Sequence, residues 1–254
     1  MLDQLPGASG SPKTLSRAER QAQYYGSSAS AYDATHIRSG DEHEVALRYM
    51  TALMKAHGLR TILDVGTGTG RVIPPLQASG FDVVGIEPVK ALLDKAAEKS
   101  LAGTVLVLGR GDNLPFPDQS FDAVCEFGVL HHVERPQDVV AEMLRVARSA
   151  IFLSDTNRFG RSSVFSRLSK LLLWKCGLWR AAYRVRKGGK NCDISECDGI
   201  AYSYSVYDSF DQIDRWASSV FAIPTKVEGP KRSSWFSPLL TSSHALLCGI
   251  RKQC

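Results

Sequence analysis

The chain has 254 residues, of which 31 are basic and 26 acidic, so its formal net charge is +5. Hydrophobic residues make up 44% and charged residues 22%, which excludes a disordered chain, and 21 glycines with 11 prolines exclude a fibrous repeat. No apolar run approaches the roughly 18 residues of a membrane-spanning helix, and the first residues contain no apolar segment typical of a signal peptide.

Apolar periodicity predicts alternating strands and helices after a polar arm over residues 1–22. Helices are predicted over 44–57, up to 79, over 90–100 and over 136–148, and strands over 61–65, 81–86, 104–108, 121–127 and 150–154. Strands that alternate with helices at this spacing predict an α/β fold with a doubly wound, parallel sheet over residues 44–157. Pro74 and Pro75 fall where one helix should be under way, so that helix is expected to be distorted.

The alternation stops after Asp155, and a basic stretch follows. Residues 158–190 contain ten basic residues and no Asp or Glu; the 21 basic and 26 acidic residues left elsewhere give a net charge of −5. The positive charge is therefore local, and a chain-wide coat for binding nucleic acid or membranes is excluded. Residues 158–206 are interpreted as an insertion. A helix over 209–218 and strands over 220–227 and 244–250 are predicted to complete the sheet within residues 207–254.

The six cysteines indicate a reducing compartment. None forms a C-x-x-C pair, and none has the spacing to histidine that is typical of a metal site. We therefore expect a cytoplasmic protein with no structural metal and no metal ligands.

Three acidic residues come at the ends of predicted strands. Asp64 lies at the end of the first strand, Glu87 follows the second, and Asp112 follows the third. In a parallel sheet these positions meet at the carboxyl edge, where ligands bind. Carboxylates there can accept hydrogen bonds from ribose hydroxyls and an adenine amino group. A surface or helix-capping role is the alternative for any one of them, but three in register favour a nucleoside ligand.

The turn after the first strand contains three glycines, Gly66, Gly68 and Gly70, at alternate positions. Arg71 stands where a dinucleotide-binding fingerprint requires Gly or Ala, and the Lys-Ser/Thr pair of a phosphate-binding loop is missing. Small residues let the backbone approach a ligand, and the N-terminus of the next helix favours an anionic group such as a carboxylate. A tight strand–helix turn is the alternative, although one glycine would suffice for it.

Together these motifs resemble those of class I S-adenosylmethionine-dependent methyltransferases. The resemblance covers residues 45–155 and rests on the 62–70 turn, Glu87, the 112–124 run, the Leu-His-His-Val motif at 130–133 and the segment 142–146. It implies S-adenosylmethionine as the cofactor and a Rossmann-like methyltransferase fold, with a seven-stranded, mostly parallel sheet whose last strand is antiparallel. Residues 1–43 would then comprise the arm and a cap over the cofactor.

The resemblance also implies which residues contact the cofactor. Asp64 would order the amino end of the methionine portion, Glu87 would bind the ribose hydroxyls, and Asp112 would accept from the adenine amino group. Tyr32 would belong to the cap, unless it only packs. The full predicted set is Asp64, Gly66, Thr67, Gly68, Gly70, Glu87, Asp112, Asn113, Leu114, Phe127, Gly128 and Tyr32.

Methyl transfer to a hydroxyl gains from removal of its proton, for which histidine is suited near neutral pH. His131 and His132 follow the fourth strand and are the predicted catalytic bases. Helix capping or packing on the sheet is the alternative role for each. Asp155, Asn157 and Arg158 could also orient an acceptor or form a structural turn.

The basic insertion is the predicted acceptor-recognition element. Its helix-like part, residues 163–179, mixes Leu, Trp and Phe with Lys and Arg. Such a helix can lie on an anionic membrane surface or bind an anionic acceptor, such as a phosphorylated or lipid-linked sugar. The simplest interpretation is a lid whose apolar side packs on the core while its basic residues are solvated. The positive charge alone would also suit nucleic acid. No known nucleic-acid-binding module accompanies the basic stretch, so nucleic acid is not the expected partner.

The sequence therefore predicts an enzyme that transfers a methyl group from S-adenosylmethionine to a small-molecule or glycan-type acceptor, at oxygen. One alternative is a non-catalytic or peripheral membrane protein on the same fold. Another is methylation of a lipid-linked acceptor at a membrane surface. A nicotinamide dehydrogenase is the third, and Arg71 argues against it. The sequence predicts neither the identity of the acceptor nor the oligomeric state.

Overall fold

The computed structural model describes residues 17–29, 32–36, 38–99, 103–195, 199–227 and 238–252. The strands are β1 (Thr61–Val65), β2 (Asp82–Glu87), β3 (Val105–Leu108), β4 (Phe121–Phe127), β5 (Ala147–Thr156), β6 (Cys192–Ser195), β7 (Gly199–Tyr202), β8 (Ser219–Val227) and β9 (Ser242–Ile250). The α-helices are α1 (Arg17–Ser28), α2 (Tyr32–His36), α3 (Glu42–Ala56), α4 (Ile73–Ala78), α5 (Lys90–Lys99), α6 (Pro136–Val146), α7 (Val164–Lys175), α8 (Trp179–Arg186), α9 (Phe210–Asp214) and α10 (Pro238–Thr241). Most of the predicted arm lies outside the described residues.

Seven strands form one sheet in the order β3-β2-β1-β4-β5-β9-β8. The first five run parallel, and β9 runs antiparallel to both of its neighbours. The predicted doubly wound, mostly parallel sheet with an antiparallel last strand is thereby confirmed. The strand order reverses between β1 and β4, which is the position where open α/β sheets bind ligands.

Alternating side chains of the central strands build a core on each face of the sheet. Leu63 of β1 packs on one face in a cluster with Met143 of α6. Its neighbour Ile62 packs on the other face in a cluster with Met50 of α3 and Leu76 of α4. Helices on both faces therefore fix the carboxyl ends of β1 and β4 at one edge of the molecule.

The helix after the glycine-rich turn begins later than predicted. Because α4 starts at Ile73, Pro74 and Pro75 occupy its first turn, where proline is tolerated. The expected distortion of a helix already under way is therefore wrong. Residues 66–72 form a long turn, and this turn borders the cavity described below.

The insertion leaves the sheet after β5 and forms α7, α8 and the β6–β7 hairpin. Its helix-like part is split, since α7 ends at Lys175 and α8 begins at Trp179. The helix predicted over 209–218 is also shorter, because a 3-10 turn precedes α9 and α9 ends at Asp214.

The predicted orientation of the helix in the insertion is only partly correct, because Leu171 and Trp174 pack against the core but other apolar side chains of α7 do not. Phe165 and Leu168 on the apolar side of α7 are exposed. Arg167 and Lys170 instead face the protein and donate hydrogen bonds to backbone carbonyl oxygens. Across the described ranges, no helix is both long enough and apolar enough to span a bilayer.

Candidate functional site

A cavity of about 120 Å³ lies at the carboxyl ends of β1 and β4. The N-terminal helices, the glycine-rich turn and the turn after β4 surround it. The lining residues are Tyr25, Tyr32, His43, Asp64, Gly66, Thr67, Gly68, Thr69, Arg71, Val72, Phe127, Gly128, His131 and His132. The structure thus brings together the first strand end, most of the glycine-rich turn, Tyr32 and both histidines that the sequence singled out.

The glycine-rich turn crosses the end of β2. The N–H groups of Gly66 and Thr67 donate to the carbonyl oxygen of Ile86 at 2.8 and 3.0 Å. Gly66 has a φ of +73°, and a Cβ atom there would lie 2.5 Å from Cγ2 of Val129. Only glycine fits this position, because a side chain would collide with the turn after β4.

Gly68 and Gly70 have different surroundings. Gly68 faces the cavity beneath Tyr32, whose hydroxyl oxygen lies 3.8 Å from the position of an added Cβ atom. Gly70 lies outside the lining, and a Cβ atom there would come within 3.1 Å of Cα of Ala96 in α5. Gly70 therefore lets α5 pack close to the turn, and the structure does not bring it to the cavity.

Asp64 is a buried carboxyl group in the wall of the cavity. It accepts a hydrogen bond from the Thr67 hydroxyl at 2.6 Å, and the Cys125 thiol lies 3.7 Å away. Burial raises the pKa of Asp64 to about 6 in spite of these two donors. A cationic donor that entered the cavity would therefore stabilise the ionised form of Asp64.

Glu87 is buried under the glycine-rich turn rather than in the cavity lining. Its carboxyl oxygens accept hydrogen bonds from the N–H groups of Gly68 and Val89, each at 3.0 Å. Burial raises the pKa of Glu87 to about 7, and the negative charge of Asp64 adds to this effect. Two carboxyl groups with raised pKa values thus lie at neighbouring strand ends.

The residues predicted after β3 lie away from the cavity lining. Asp112 accepts two hydrogen bonds from the guanidinium of Arg110, at 2.9 and 2.6 Å. Asn113 is exposed, and Leu114 is buried in the core. Their predicted contacts with the adenine portion of the cofactor stay predictions, because the structure does not bring them to the other site residues.

His131 pairs with a buried aspartate at the wall of the cavity. Its Nδ1 lies 2.8 Å from Oδ1 of Asp155, and its backbone N–H donates to Oδ2 at 3.2 Å. Burial would raise the pKa of Asp155, but the charge of His131 and its hydrogen bond hold that pKa below its ordinary value. When the ring of His131 is neutral, an ionised Asp155 favours the proton on Nδ1 and leaves Nε2 as the acceptor.

His132 is bound on both ring nitrogens. Its Nε2 lies 3.0 Å from the hydroxyl of Tyr25, and its Nδ1 lies 2.8 Å from the carbonyl oxygen of Ile200 and 3.3 Å from Nε2 of Gln21. These contacts connect the turn after β4 to α1 and to the β6–β7 hairpin. His132 is therefore placed as a structural link between the N-terminal helices and the insertion.

Sequence reasoning missed two buried groups beside these histidines. His43 lines the cavity and has Nδ1 2.9 Å from the Ser154 hydroxyl, and burial lowers its pKa. Glu126 in β4 accepts from the N–H of Val129 at 2.9 Å, while its Oε1 has no partner among the described residues. Burial raises the pKa of Glu126 well above its ordinary value. An acidic residue within an apolar strand was the available signal for Glu126, whereas no motif pointed to His43.

A second, larger cleft of about 1160 Å³ borders α7 and α8. Trp174 and Trp179 give it aromatic surface, and Arg180 and Arg184 give it positive charge. It also borders Val133, which directly follows the two histidines. The cleft and the smaller cavity therefore both border the turn after β4.

Arg158 is the buried cation of this cleft. Its guanidinium carbon lies 5.0 Å from the ring centre of Phe159 and 5.3 Å from that of Trp179. The guanidinium also pairs with Asp208 and donates to the carbonyl oxygen of Ser203 at 2.7 Å. These contacts hold Trp179 at the cleft and connect the insertion to the start of α9.

Comparison with known proteins gives one family match and several relatives. A family model described as a methyltransferase domain matches residues 63–152. The chain is 34% identical over 182 residues to an uncharacterized methyltransferase of Mycolicibacterium paratuberculosis, which covers 65% of this chain and 70% of the relative. It is 31% identical over 141 residues to the ubiquinone/menaquinone biosynthesis C-methyltransferase UbiE of Stutzerimonas stutzeri, which covers 52% of this chain. The match spans 55% of the length of that UbiE protein.

The fold is shared with solved structures at low sequence identity. The magnesium protoporphyrin IX methyltransferase ChlM of Synechocystis PCC 6803, solved with bound SAM, superposes with a TM-score of 0.60 at 15% identity. The superposition covers 95% of this chain and all of ChlM. The likeness extends over the whole sheet.

Proposed function

Because this chain belongs to the class I S-adenosylmethionine-dependent methyltransferase family, we propose that it transfers a methyl group from that cofactor to an oxygen atom of a small-molecule or glycan-type acceptor. The observation that carries the proposal is the pairing of His131 with the buried Asp155 at the wall of the cavity. A cytoplasmic location, expected from the cysteines, stays a prediction.

The residues of the cavity fit the methionine end of S-adenosylmethionine. Asp64 accepts from neutral donors and has a pKa raised to about 6, so a cationic amino group would relieve its desolvation. Arg71 lines the same cavity, so its guanidinium is the candidate partner of the methionine carboxylate. In this structure that guanidinium pairs with Asp41. Gly68, which faces the cavity beneath Tyr32, leaves the backbone open to close approach.

The volume of the cavity indicates that the N-terminal cap must open for the complete cofactor. About 120 Å³ is well below the roughly 300–1,000 Å³ of typical ligand pockets. Tyr25 and Tyr32 cover the site, and Tyr25 packs in a cluster with Val89 and Leu92, next to Glu87. Outward movement of α1 and α2 would expose Glu87 to the ribose hydroxyls.

When bound, S-adenosylmethionine would supply an electrophilic methyl group for in-line displacement by the acceptor, with cleavage of the bond from that methyl carbon to sulfur and S-adenosylhomocysteine as the neutral leaving group. Nε2 of His131 would take the proton of the acceptor hydroxyl as its oxygen forms the new bond to carbon. Asp155 would stabilise the resulting imidazolium through Nδ1. The walls of the cavity would hold the reacting atoms together and exclude water.

The larger cleft supports an acceptor that combines a ring with negative charge. Trp174 and Trp179 offer flat apolar surfaces, and the guanidinium groups of Arg180 and Arg184 can bind phosphate or carboxylate oxygens in bidentate fashion. The shared turn after β4 would place such an acceptor beside His131.

The deciding experiment is an acceptor screen with methyl-labelled S-adenosylmethionine over sugars, sugar phosphates, phenols and quinols. We expect label on an oxygen of one class, and Trp179→Ala and Arg184→Gln should raise KM for that acceptor more than they lower kcat. Arg48→Gln, an exposed arginine of α3, is the matched control. Label on carbon would contradict oxygen transfer, as for the relative named a C-methyltransferase. Cofactor binding with no labelled product would favour a non-catalytic role.

A further inference from the structure

One side of α7 exposes an uninterrupted set of large apolar side chains. Val164, Phe165, Leu168 and Leu172 lie at spacings of one, three and four residues and therefore share one side of the helix. We call these four residues the apolar stripe. Their exposed fractions range from 50% to 82%. Single exposed apolar side chains are ordinary, but a contiguous set on one helix marks an interaction surface.

The other side of α7 holds the helix in this orientation. Trp174 packs against the core. Arg167 donates to the carbonyl oxygen of Leu240 at 2.9 Å, and Lys170 donates to two carbonyl oxygens of the preceding turn at 3.0 and 3.1 Å. The stripe could turn inward only if these bonds and the packing of Trp174 were lost. The contacts of Arg167, Lys170 and Trp174 therefore keep the stripe exposed.

Further exposed basic and apolar side chains lie at and beyond the end of α7. Lys175 at the end of α7 is exposed, as are Arg186 at the end of α8 and Lys190 beyond it. Leu178 between the two helices and Val185 in α8 are exposed as well. Residues 158–190 contain no acidic side chain, and Asp193 beyond them pairs with Lys187, so this segment offers hydrophobic contact and an excess of positive charge.

We propose that the apolar stripe docks on an anionic lipid bilayer. The interface of a bilayer accepts protruding apolar side chains without shape complementarity, and anionic head groups attract Lys and Arg. A second copy of the chain fits poorly, since a symmetric contact would bring two basic segments together. This inference goes beyond the proposed function, because docking on lipid requires neither cofactor nor methyl transfer. The larger cleft opens at the α7–α8 turn beside the stripe, so docking would hold it close to lipid.

The test is co-sedimentation of the full chain with vesicles, without cofactor. Vesicles of phosphatidylcholine mixed with phosphatidylglycerol should pellet the protein at low ionic strength, vesicles of phosphatidylcholine alone should pellet far less, and added salt should release it. Phe165→Ser/Leu168→Ser/Leu172→Ser should lower the partition coefficient on the order of 100-fold, because three apolar side chains no longer leave water. All three side chains are exposed, so the variant keeps its core, and circular dichroism checks this.

The matched control is Tyr49→Ser/Val105→Ser, which removes apolar side chains of similar exposure from α3 and β3. This control should bind the mixed vesicles like the wild type. Failure of the wild type to pellet, equal binding to both kinds of vesicle, or full binding by the triple variant would overturn the proposal. Stripe-dependent self-association in ultracentrifugation without lipid would overturn it in favour of a second copy. Co-sedimentation tests docking on lipid, and the labelled acceptor screen tests methyl transfer. Either proposal can therefore fail without affecting the result for the other.

Discussion

Asp64 and Glu87 lie at the carboxyl ends of adjacent strands, buried and hydrogen-bonded to neutral donors. Their place in the sequence was enough to predict that they meet at the ligand edge. Their raised pKa values were not predictable, since they follow from burial by residues distant in the chain. Because burial destabilises the ionised form of such a carboxyl group, a cationic or hydroxyl-bearing ligand stabilises that form strongly when it binds.

We expect Asp64→Ala and Glu87→Ala each to abolish binding of S-adenosylmethionine in isothermal titration calorimetry. Each change removes an acceptor for charged or hydroxyl donors of the cofactor, and a lost charged hydrogen bond costs about 1.5–3 kcal/mol or more. Asp94→Ala, at an exposed aspartate of α5, is the control and should bind normally. Unchanged affinity in both folded site variants would refute the cofactor assignment.

The pKa of Asp64 makes a prediction about stability. Burial raises it from 3.8 to about 6, so the folded state favours the protonated form. The stabilising contribution of Asp64 is therefore full below pH 3.8 and is lost as the pH rises through about 6. Relative to Asp64→Asn, the unfolding free energy of the wild type should fall by about 2–3 kcal/mol from about pH 4 to about pH 7. Urea unfolding without cofactor measures this, and parallel pH profiles would contradict it.

His131 and His132 were equivalent candidates in the sequence, and the structure separates them. His131 pairs with Asp155, whereas both ring nitrogens of His132 contact α1 and the insertion. His131→Ala should lower kcat about 10²–10⁴-fold without changing cofactor affinity, and His132→Ala should change kcat much less. Asp155→Asn should lower kcat and alter the pH–rate profile. Initial rates with the acceptor from the screen test this, and normal turnover in both alanine variants and the double variant would exclude a histidine base.

At the scale of elements, the glycines of the long turn over residues 66–72 have different structural roles. Gly70 has a φ of +76° and an added Cβ atom would meet Ala96 of α5, whereas Gly68 faces the cavity. Gly80, which follows α4 outside this turn, has a φ of +89° with open space around it. The spacing of the glycines indicated a ligand-binding loop. It could not show which glycine packs against a helix, because that helix, α5, comes later in the chain. Likewise, Pro74 and Pro75 were expected to distort α4, but they lie in its first turn, where proline is tolerated.

This contrast predicts the cost of two alanine substitutions. Gly80→Ala should destabilise the protein by about 1–2 kcal/mol through backbone strain alone. Gly70→Ala should cost about 1–3 kcal/mol more, since the new methyl group also pushes α5 away. Thermal or urea unfolding compares the two variants. Equal losses of stability would show that α5 tolerates the methyl group.

At the scale of the whole molecule, the N-terminal helices and the insertion meet over the carboxyl edge of the sheet. Gln21 of α1 accepts from the N–H of Ile200 at 2.6 Å, and Tyr25 contacts His132. The net charge is also divided along the chain: residues 158–190 contain ten basic and no acidic residues, and the rest of the chain has a net charge of −5. The sequence located this charge but not the outward apolar side of α7.

Deletion of residues 1–29 tests the cap. Loss of α1 removes Tyr25 and uncovers Val89 and Leu92, so the cofactor should enter and leave faster and bind at least about tenfold more weakly. Stopped-flow binding measures both rates. Tyr25→Phe, which keeps the ring but not the hydroxyl, is the control and should retain most of the affinity. Tighter binding after the deletion would show that α1 only blocks entry and does not close over the bound cofactor.

The sequence by itself determined the doubly wound sheet and the meeting of Asp64, the glycine-rich turn and the histidines. Local apolar periodicity and the parallel strand order leave few other arrangements. Only the tertiary structure decided that Gly70 serves packing, that Asp155 selects His131, and that α7 turns its apolar side outward. Each of these depends on partners distant in the chain, such as Ala96 and Leu240. Periodicity shows that a helix has two sides, but the contacts of the folded chain decide which side faces solvent.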